Sequence, residues 1–272
     1  MNRTIFKGVI TALGMFTFIG CIGETGGGYT VNKLSETPAK FEYATTQKAN
    51  KTQGKDIYLS VEGETGALGI SNDKFQEALQ NLVSEILTNK GYQVSTKSPN
   101  FQERKDGYLK MHVYASMNLT RNVTKEQKVG EKCQTREALG VQLCEAFVTR
   151  EGTYTGHTNV VIHYNEPLSD VHLDSVKFAL DEKMPFHEVA KAQYQKTKAN
   201  DDLVSSIASL GSMFSQKEQE GGMLEDDSLK VKGELFNALY QGLGAALEEH
   251  ISQKEINSFE SAVKSIKAKK TY

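Results

Sequence analysis

Residues 71–94 read SNDKFQEALQNLVSEILTNKGYQV, and the fold is decided by how this stretch is read. Phe75, Leu79, Leu82, Val83, Ile86 and Leu87 recur at helical spacing and form one apolar stripe. That is the pattern of a helix with a single buried face. Ser71, Asn72 or Asp73 supplies a short polar side chain able to accept hydrogen bonds from the free N–H groups of the first turn. Gly91 stands just past the last apolar residue, where a left-handed backbone is wanted. Tyr92-Gln93-Val94 then alternates outward as a strand. Upstream, Asp56-Ile57-Tyr58-Leu59-Ser60-Val61 alternates too, and residues 63–69 form a loop.

Further out, residues 107–119 form a long strand with Leu109, Met111, Val113, Ala115, Met117 and Leu119 on one face. The order strand, helix, strand, strand predicts the α+β class, with a mixed, largely antiparallel sheet and helices packed on one side. Residues 147–154 and 158–164 read as a hairpin turning at Gly156-His157, and residues 171–180 as a further strand. From Phe186 the chain reads as polar helix, and the glycine- and acid-rich residues 215–228 as a mobile link. Residues 229–251 carry a second clear stripe, Leu235, Leu239, Leu243, Ala246 and Leu247. Ser252 caps a last helix that runs into the lysine-rich tail, giving two C-terminal helices.

The N-terminus has a different character. Arg3 and Lys7 precede an apolar run that closes on Phe18-Ile19-Gly20-Cys21. A basic end, a short apolar core and a small residue before the cut make a secretory signal. The cysteine after Gly20 makes it a lipoprotein signal, so residues 1–20 are removed and Cys21 carries the lipid. An ordinary signal with an incidental cysteine is the alternative. The apolar run is too short to span a bilayer comfortably, and one acyl chain holds a protein only weakly whereas several hold it firmly. Ile22 is not the aspartate that retains many lipoproteins at the inner membrane, which points to the outer one. Residues 21–37, with Gly23, Gly26, Gly27 and Gly28, read as a flexible tether, and residues 38–272 as one α+β domain beginning where Phe41 and Tyr43 alternate.

Without the leader, 30 basic residues face 34 acidic ones, and a nucleic-acid binder would show a basic excess instead. With Cys21 lipidated, Cys133 and Cys144 remain as an even pair in an oxidising space, which predicts a disulfide. Closing that short loop contributes about 3 kcal/mol in the chain-entropy model. A free pair and a metal site compete with this reading, and no zinc spacing is present.

No GxSxG, HExxH or phosphate-cradling glycine motif occurs, so neither enzyme activity nor a cofactor is expected. His157, His163 and His172 are imidazoles within one sheet, but they match no metal pattern and read as exposed strand or turn residues. Residues 121–144 read as a charged excursion between strands. Within it Arg121, Lys125 and Lys128 alternate with Asn122, Thr124 and Gln127. Such a segment can donate charge-assisted hydrogen bonds to the carboxylate of a sialic acid, or it can be a solvated connection.

The ordered landmarks carry a family resemblance. They are the lipobox, the helix, Lys90-Gly91-Tyr92-Gln93-Val94, Gly107-Tyr108-Leu109 opening a strand, and the basic segment. Leu173-Asp174-Ser175, the 229–251 helix and Asn257-Ser258 before the lysine-rich end follow in order. Over most of residues 57–270 the chain resembles the Helicobacter neuraminyllactose-binding haemagglutinin family, the adhesin A lipoproteins. The resemblance implies an outer-membrane or flagellar-sheath lipoprotein that binds sialyllactose on host cells. The family's receptor motif has the form Lys-Arg-Thr-x-x-Lys-Lys. The matching stretch here is Thr124-Lys125-Glu126-Gln127-Lys128, where the adjacent basic residues are lost and Glu126 intrudes. A structural envelope lipoprotein that contacts other envelope proteins and binds no sugar is the second reading.

Overall fold

The computed structural model describes residues 24–26, 28–49, 51–66, 69–136, 141–197 and 221–269. The signal segment and Cys21 lie outside them. Eight strands are described, β1 (Glu24–Gly26), β2 (Tyr29–Lys33), β3 (Asp56–Thr65), β4 (Gln93–Ser95), β5 (Leu109–Arg136), β6 (Val141–Asn165), β7 (His172–Thr197) and β8 (Met223–Asp226). Five helices accompany them, α1 (Asn72–Asn89), α2 (Phe101–Asp106), α3 (Ser228–His250), α4 (Gln253–Ser258) and α5 (Glu260–Lys269).

The main sheet has the order β4-β3-β5-β6-β7. β3 pairs in parallel with β4 and β5, whereas β5, β6 and β7 run antiparallel along their whole length. The class is therefore α+β, with a mixed and largely antiparallel sheet. Alternation aligns Ile57, Leu59 and Val61 with Leu109, Met111 and Val113, and then with Tyr164 and Ile162, on one face. The helices cover that face. From α1 it takes Phe75, Leu79, Val83 and Leu87, and from α3 Leu235, Leu239, Leu243 and Leu247, all buried in one core. Gly156 sits where α3 crosses β6, and a Cβ built there would lie 2.4 Å from Leu239 Cδ1. At the end of α1, Gly91 takes φ +89°, the left-handed turn that only glycine adopts without strain.

Residues 34–49 form an extended strap over the groove between α1 and α3. Phe41 meets Phe236 and Tyr240 edge-on, with ring centroids 5.4 and 5.5 Å apart. Glu248 of α3 is buried at 3% exposure and holds the strap. It accepts from Tyr43 Oη at 2.7 Å, Thr46 N at 2.8 Å, Thr46 Oγ1 at 3.0 Å and Gln47 N at 2.6 Å. Burial alone would raise its pKa, but these hydrogen bonds bring it below the ordinary glutamate value. Lys90 is buried beside it and donates to Gln47 Oε1 at 2.8 Å and to the Glu248 carbonyl at 2.7 Å. The alternation of Phe41 and Tyr43 thus marks a strap with one face down on helices, not a laddered strand.

Several sequence expectations change here. Gly156 and His157 lie in the middle of β6, opposite Leu119 and Asn118, and make no turn. Glycine is there to admit Leu239. Residues 186–197 continue β7 as strand instead of turning helical, because the ladder to β6 outweighs their polar composition. Residues 121–136 continue β5, so the charged excursion is strand, and it pairs with β6 up to Arg136↔Val141. Residues 223–226 form β8 and pair in parallel with β2. Within the tether expected over residues 21–37, the described residues Glu24–Gly26 and Tyr29–Lys33 are strand. β1 and β2 pair, and Tyr29 and Val31 of β2 are buried against Phe147 and Val189. Two apolar side chains spaced one apart outweigh the glycines around them.

Candidate functional site

Beyond the helices, β5, β6 and β7 run on as a three-stranded ribbon. β6 pairs with β7 without a register shift from Gln142 to Tyr164, so its alternation fixes the faces. Arg121 stands opposite Tyr154 and Lys128 opposite Val148, both on the helix-covered side. Register shifts fall between Val123 and Lys125 and between Val129 and Lys132. The first of these bulges rotates Lys125 to the other face, opposite Glu151.

Each of the three has an acidic partner. Arg121 pairs with Glu188, Lys125 with Glu151 at 3.0 Å, and Lys128 with Glu131 at 2.7 Å. Arg121 also lies 5.2 Å from the Phe186 ring centroid. Arg150 joins the same cluster, donating to Glu126 at 2.6 Å and lying 3.8 Å from Glu188. Glu126, Arg150, Glu188 and Arg121 therefore form a continuous chain of charge across three strands, with the Glu188 carboxylate between two guanidinium groups. Lys128 Nζ sits 3.7 Å over the Tyr194 ring, and burial, with Lys196 nearby, pushes its pKa down. Sequence reading missed Arg150 and Glu188, which come from other strands and are visible only once register is known.

Cys133 and Cys144 face each other across the β5–β6 ladder and are bonded, with S–S 2.00 Å. Near them the small sheet β1-β2-β8 packs on the ribbon face away from α3, where Phe147 and Val189 point by alternation. The chain then passes round the β7 edge into α3. Asp227 Oδ1 accepts from His187 N at 2.6 Å and Asp226 Oδ2 from Val189 N at 3.2 Å, which covers part of that edge.

The open face of the main sheet carries histidines. His112 on β5 is directly opposite His163 on β6, with ring centroids 6.4 Å apart, and His172 on β7 lies 5.7 Å from His163. His112 Nδ1 is 2.9 Å from Ser60 Oγ. Burial lowers its pKa, with Glu62 opposing and His163 and Lys110 adding to the shift. His157, grouped with His163 and His172 from spacing alone, stands apart and pairs with Asp181 at 2.7 Å. Among the described residues no helix is long and apolar enough to cross a membrane.

An α+β body whose sheet continues as a charged, disulfide-closed ribbon defines the class of protein. The chain belongs to the neuraminyllactose-binding haemagglutinin family, whose model, described as neuraminyllactose-binding hemagglutinin precursor, matches residues 28–270. No curated protein matches the chain. A crystal structure of a neuraminyllactose-binding haemagglutinin homologue from Helicobacter pylori is 15% identical, covering 84% of this chain and 98% of that one, with a TM-score of 0.49. A minor lipoprotein from Acinetobacter baumannii is 11% identical over 72% of this chain and 94% of its own, with a TM-score of 0.21. A lipoprotein from Neisseria meningitidis is 9% identical over 58% and 98%, with a TM-score of 0.22. Membership rests on the family model alone.

Proposed function

We propose that the chain is a bacterial outer-membrane lipoprotein, anchored by lipid on Cys21, that acts at the cell surface or flagellar sheath as a host-cell adhesin for sialylated glycans. Family membership over residues 28–270 carries this reading, since the family is named for binding neuraminyllactose. The geometry supplies a complement to a sugar carboxylate. Glu188 occupies a position between Arg121 and Arg150 that an incoming sialyl carboxylate would contest. Guanidinium groups suit such a group because their planar forks bind carboxylates in two-point fashion. Lys128 shares that face, whereas Lys125 projects from the other and acts only on the approach of an anionic glycan. An envelope-assembly protein, contacting other envelope proteins, would share the anchor and lack the sugar response.

The test is a titration of a soluble form beginning after Cys21 with 3′-sialyllactose and with lactose. Binding should depend on sialic acid and weaken roughly tenfold in Arg121→Ala, as removal of one charge-assisted contact implies. Lys125→Ala should weaken it far less, and only at low ionic strength. Equal or absent responses to the two sugars would sink the adhesin reading in favour of envelope assembly.

For the ribbon, we expect Cys133 and Cys144 to be bonded in the mature protein as well. Iodoacetamide without reductant should add no mass at either residue. A shifted peptide would show a free pair.

A further inference from the structure

The three histidines of the open sheet face come from three adjacent strands and share no role in the ribbon described above. A directly opposed pair such as His112 and His163 has Cβ atoms about 5 Å apart, within chelating distance for two imidazoles. His172 approaches His163 from the far side at 5.7 Å between ring centroids. His163 is the middle ring, and no hydrogen bond engages it among the described residues. Its neighbours are the other two rings. His112 is held from β3, where Ser60 Oγ lies 2.9 Å from Nδ1 and leaves Nε2 as the nitrogen available to an ion. Hydrogen bonding of one imidazole nitrogen while the other faces a metal is the usual support for a ligating histidine. Glu62 adds a carboxylate oxygen 4.0 Å from His112 Nε2. Lys110, the ammonium that acts on His112, is paired with Asp170 at 2.6 Å.

We propose that His112, His163 and His172 form a binding site for a divalent late transition-metal ion such as Zn²⁺ on the outer face of the sheet. Imidazole suits zinc, copper and nickel. Zn–N bonds of about 2.0–2.1 Å place ring centroids about 5 Å apart in a tetrahedral site. The observed 6.4 and 5.7 Å are wider than that, and the His112 and His163 rings lie nearly parallel at 13°, so binding requires the rings to turn about their side-chain torsions and aim a nitrogen at the ion while the three strands stay fixed. Glu62 or water takes the fourth position. Among the described residues, the donors whose ligand atoms already lie within 4.8 Å of one another are Glu131, Cys133 and Cys144, and they offer no thiolate while the disulfide stands. The histidine face and the charged ribbon share no residue, so metal binding does not depend on a sugar.

The experiment is calorimetric titration of the full chain in detergent, untagged and oxidised, with ZnCl₂ near neutral pH. One Zn²⁺ per chain is expected, with affinity falling at least tenfold in His163→Asn and in His112→Asn. His157→Asn, on the same face but paired with Asp181, should bind as the parent does. A second readout needs no variant: Zn²⁺ should protect His112 and His163, and not His157, from diethylpyrocarbonate, as read by peptide mass. Absence of binding, binding unchanged in His163→Asn, or equal modification of all the histidines with and without Zn²⁺ would overturn the proposal.

Discussion

Replacing Glu248 with alanine is expected to lower the thermal midpoint by about 10 °C. The substitution strands two backbone N–H groups and two hydroxyls of the strap that now donate to one carboxylate. Removing one partner from a buried, charged hydrogen-bond set costs about 3 kcal/mol, and each kcal/mol moves a chain of this size by about 2–4 °C. The carboxylate's pKa is depressed in the folded state, so its contribution is complete above the ordinary glutamate value and is lost as pH falls through the lowered folded value. Glu248→Gln should therefore flatten the acid limb of a stability–pH profile measured by urea unfolding. An unchanged acid limb would show that Glu248 does not latch the strap. Glu249, its exposed neighbour in the same helix, is the control.

The second large effect is expected at Gly156. Gly156→Val places a branched side chain where even a lone Cβ would meet Leu239 Cδ1 at 2.4 Å and Leu239 Cγ at 3.2 Å. Overpacking of this kind costs about 1–3 kcal/mol or more. Because the clash lies between α3 and β6, the loss should appear as a lower urea midpoint. Leu239→Ala alone is also destabilising by about 2–5 kcal/mol through the cavity it leaves. In combination the two should cost less than their sum, since each supplies what the other disturbs. Strict additivity would mean that Gly156 and Leu239 do not share this space.

The helices were legible because each carries its own signal. The stripe from Phe75 to Leu87 and that from Leu235 to Leu247 announce both a helix and the face it buries. Gly91 marks the end of the first. Strand content around the charged segment was not legible, because pairing is a property of two distant segments. Arg121, Lys125 and Lys128 look like a run along the chain, yet a single bulge near Thr124 turns Lys125 away from Arg121 and brings Lys128 onto the face of Arg121. Arg150 and Glu188 carry no local mark at all. The histidines teach the same lesson. Spacing grouped His157 with His163, whereas register pairs His163 with His112, which lies 51 residues before it in the chain. In β2, Tyr29 and Val31 were hidden by the surrounding glycines, and their burial depends on Phe147 and Val189 from the ribbon.

β1 begins three residues after Cys21, and three residues of extended chain span at most about 11 Å. With the lipid on Cys21, the leash is shorter than the molecule is wide, and it ends on the small sheet beside the disulfide-closed part of the ribbon. The standoff that a flexible spacer would have given is then taken over by a strut of β-ladder. From Phe147 to Ile162 that strut runs about 50 Å at about 3.3 Å per residue. Its stiffness fixes where the helical body and the open histidine face are held relative to the anchor, instead of letting them sweep a volume. A rigid mount of this kind loses little further orientational freedom on contact with a second surface, so a weak contact is less diluted by entropy than it would be at the end of a free tether.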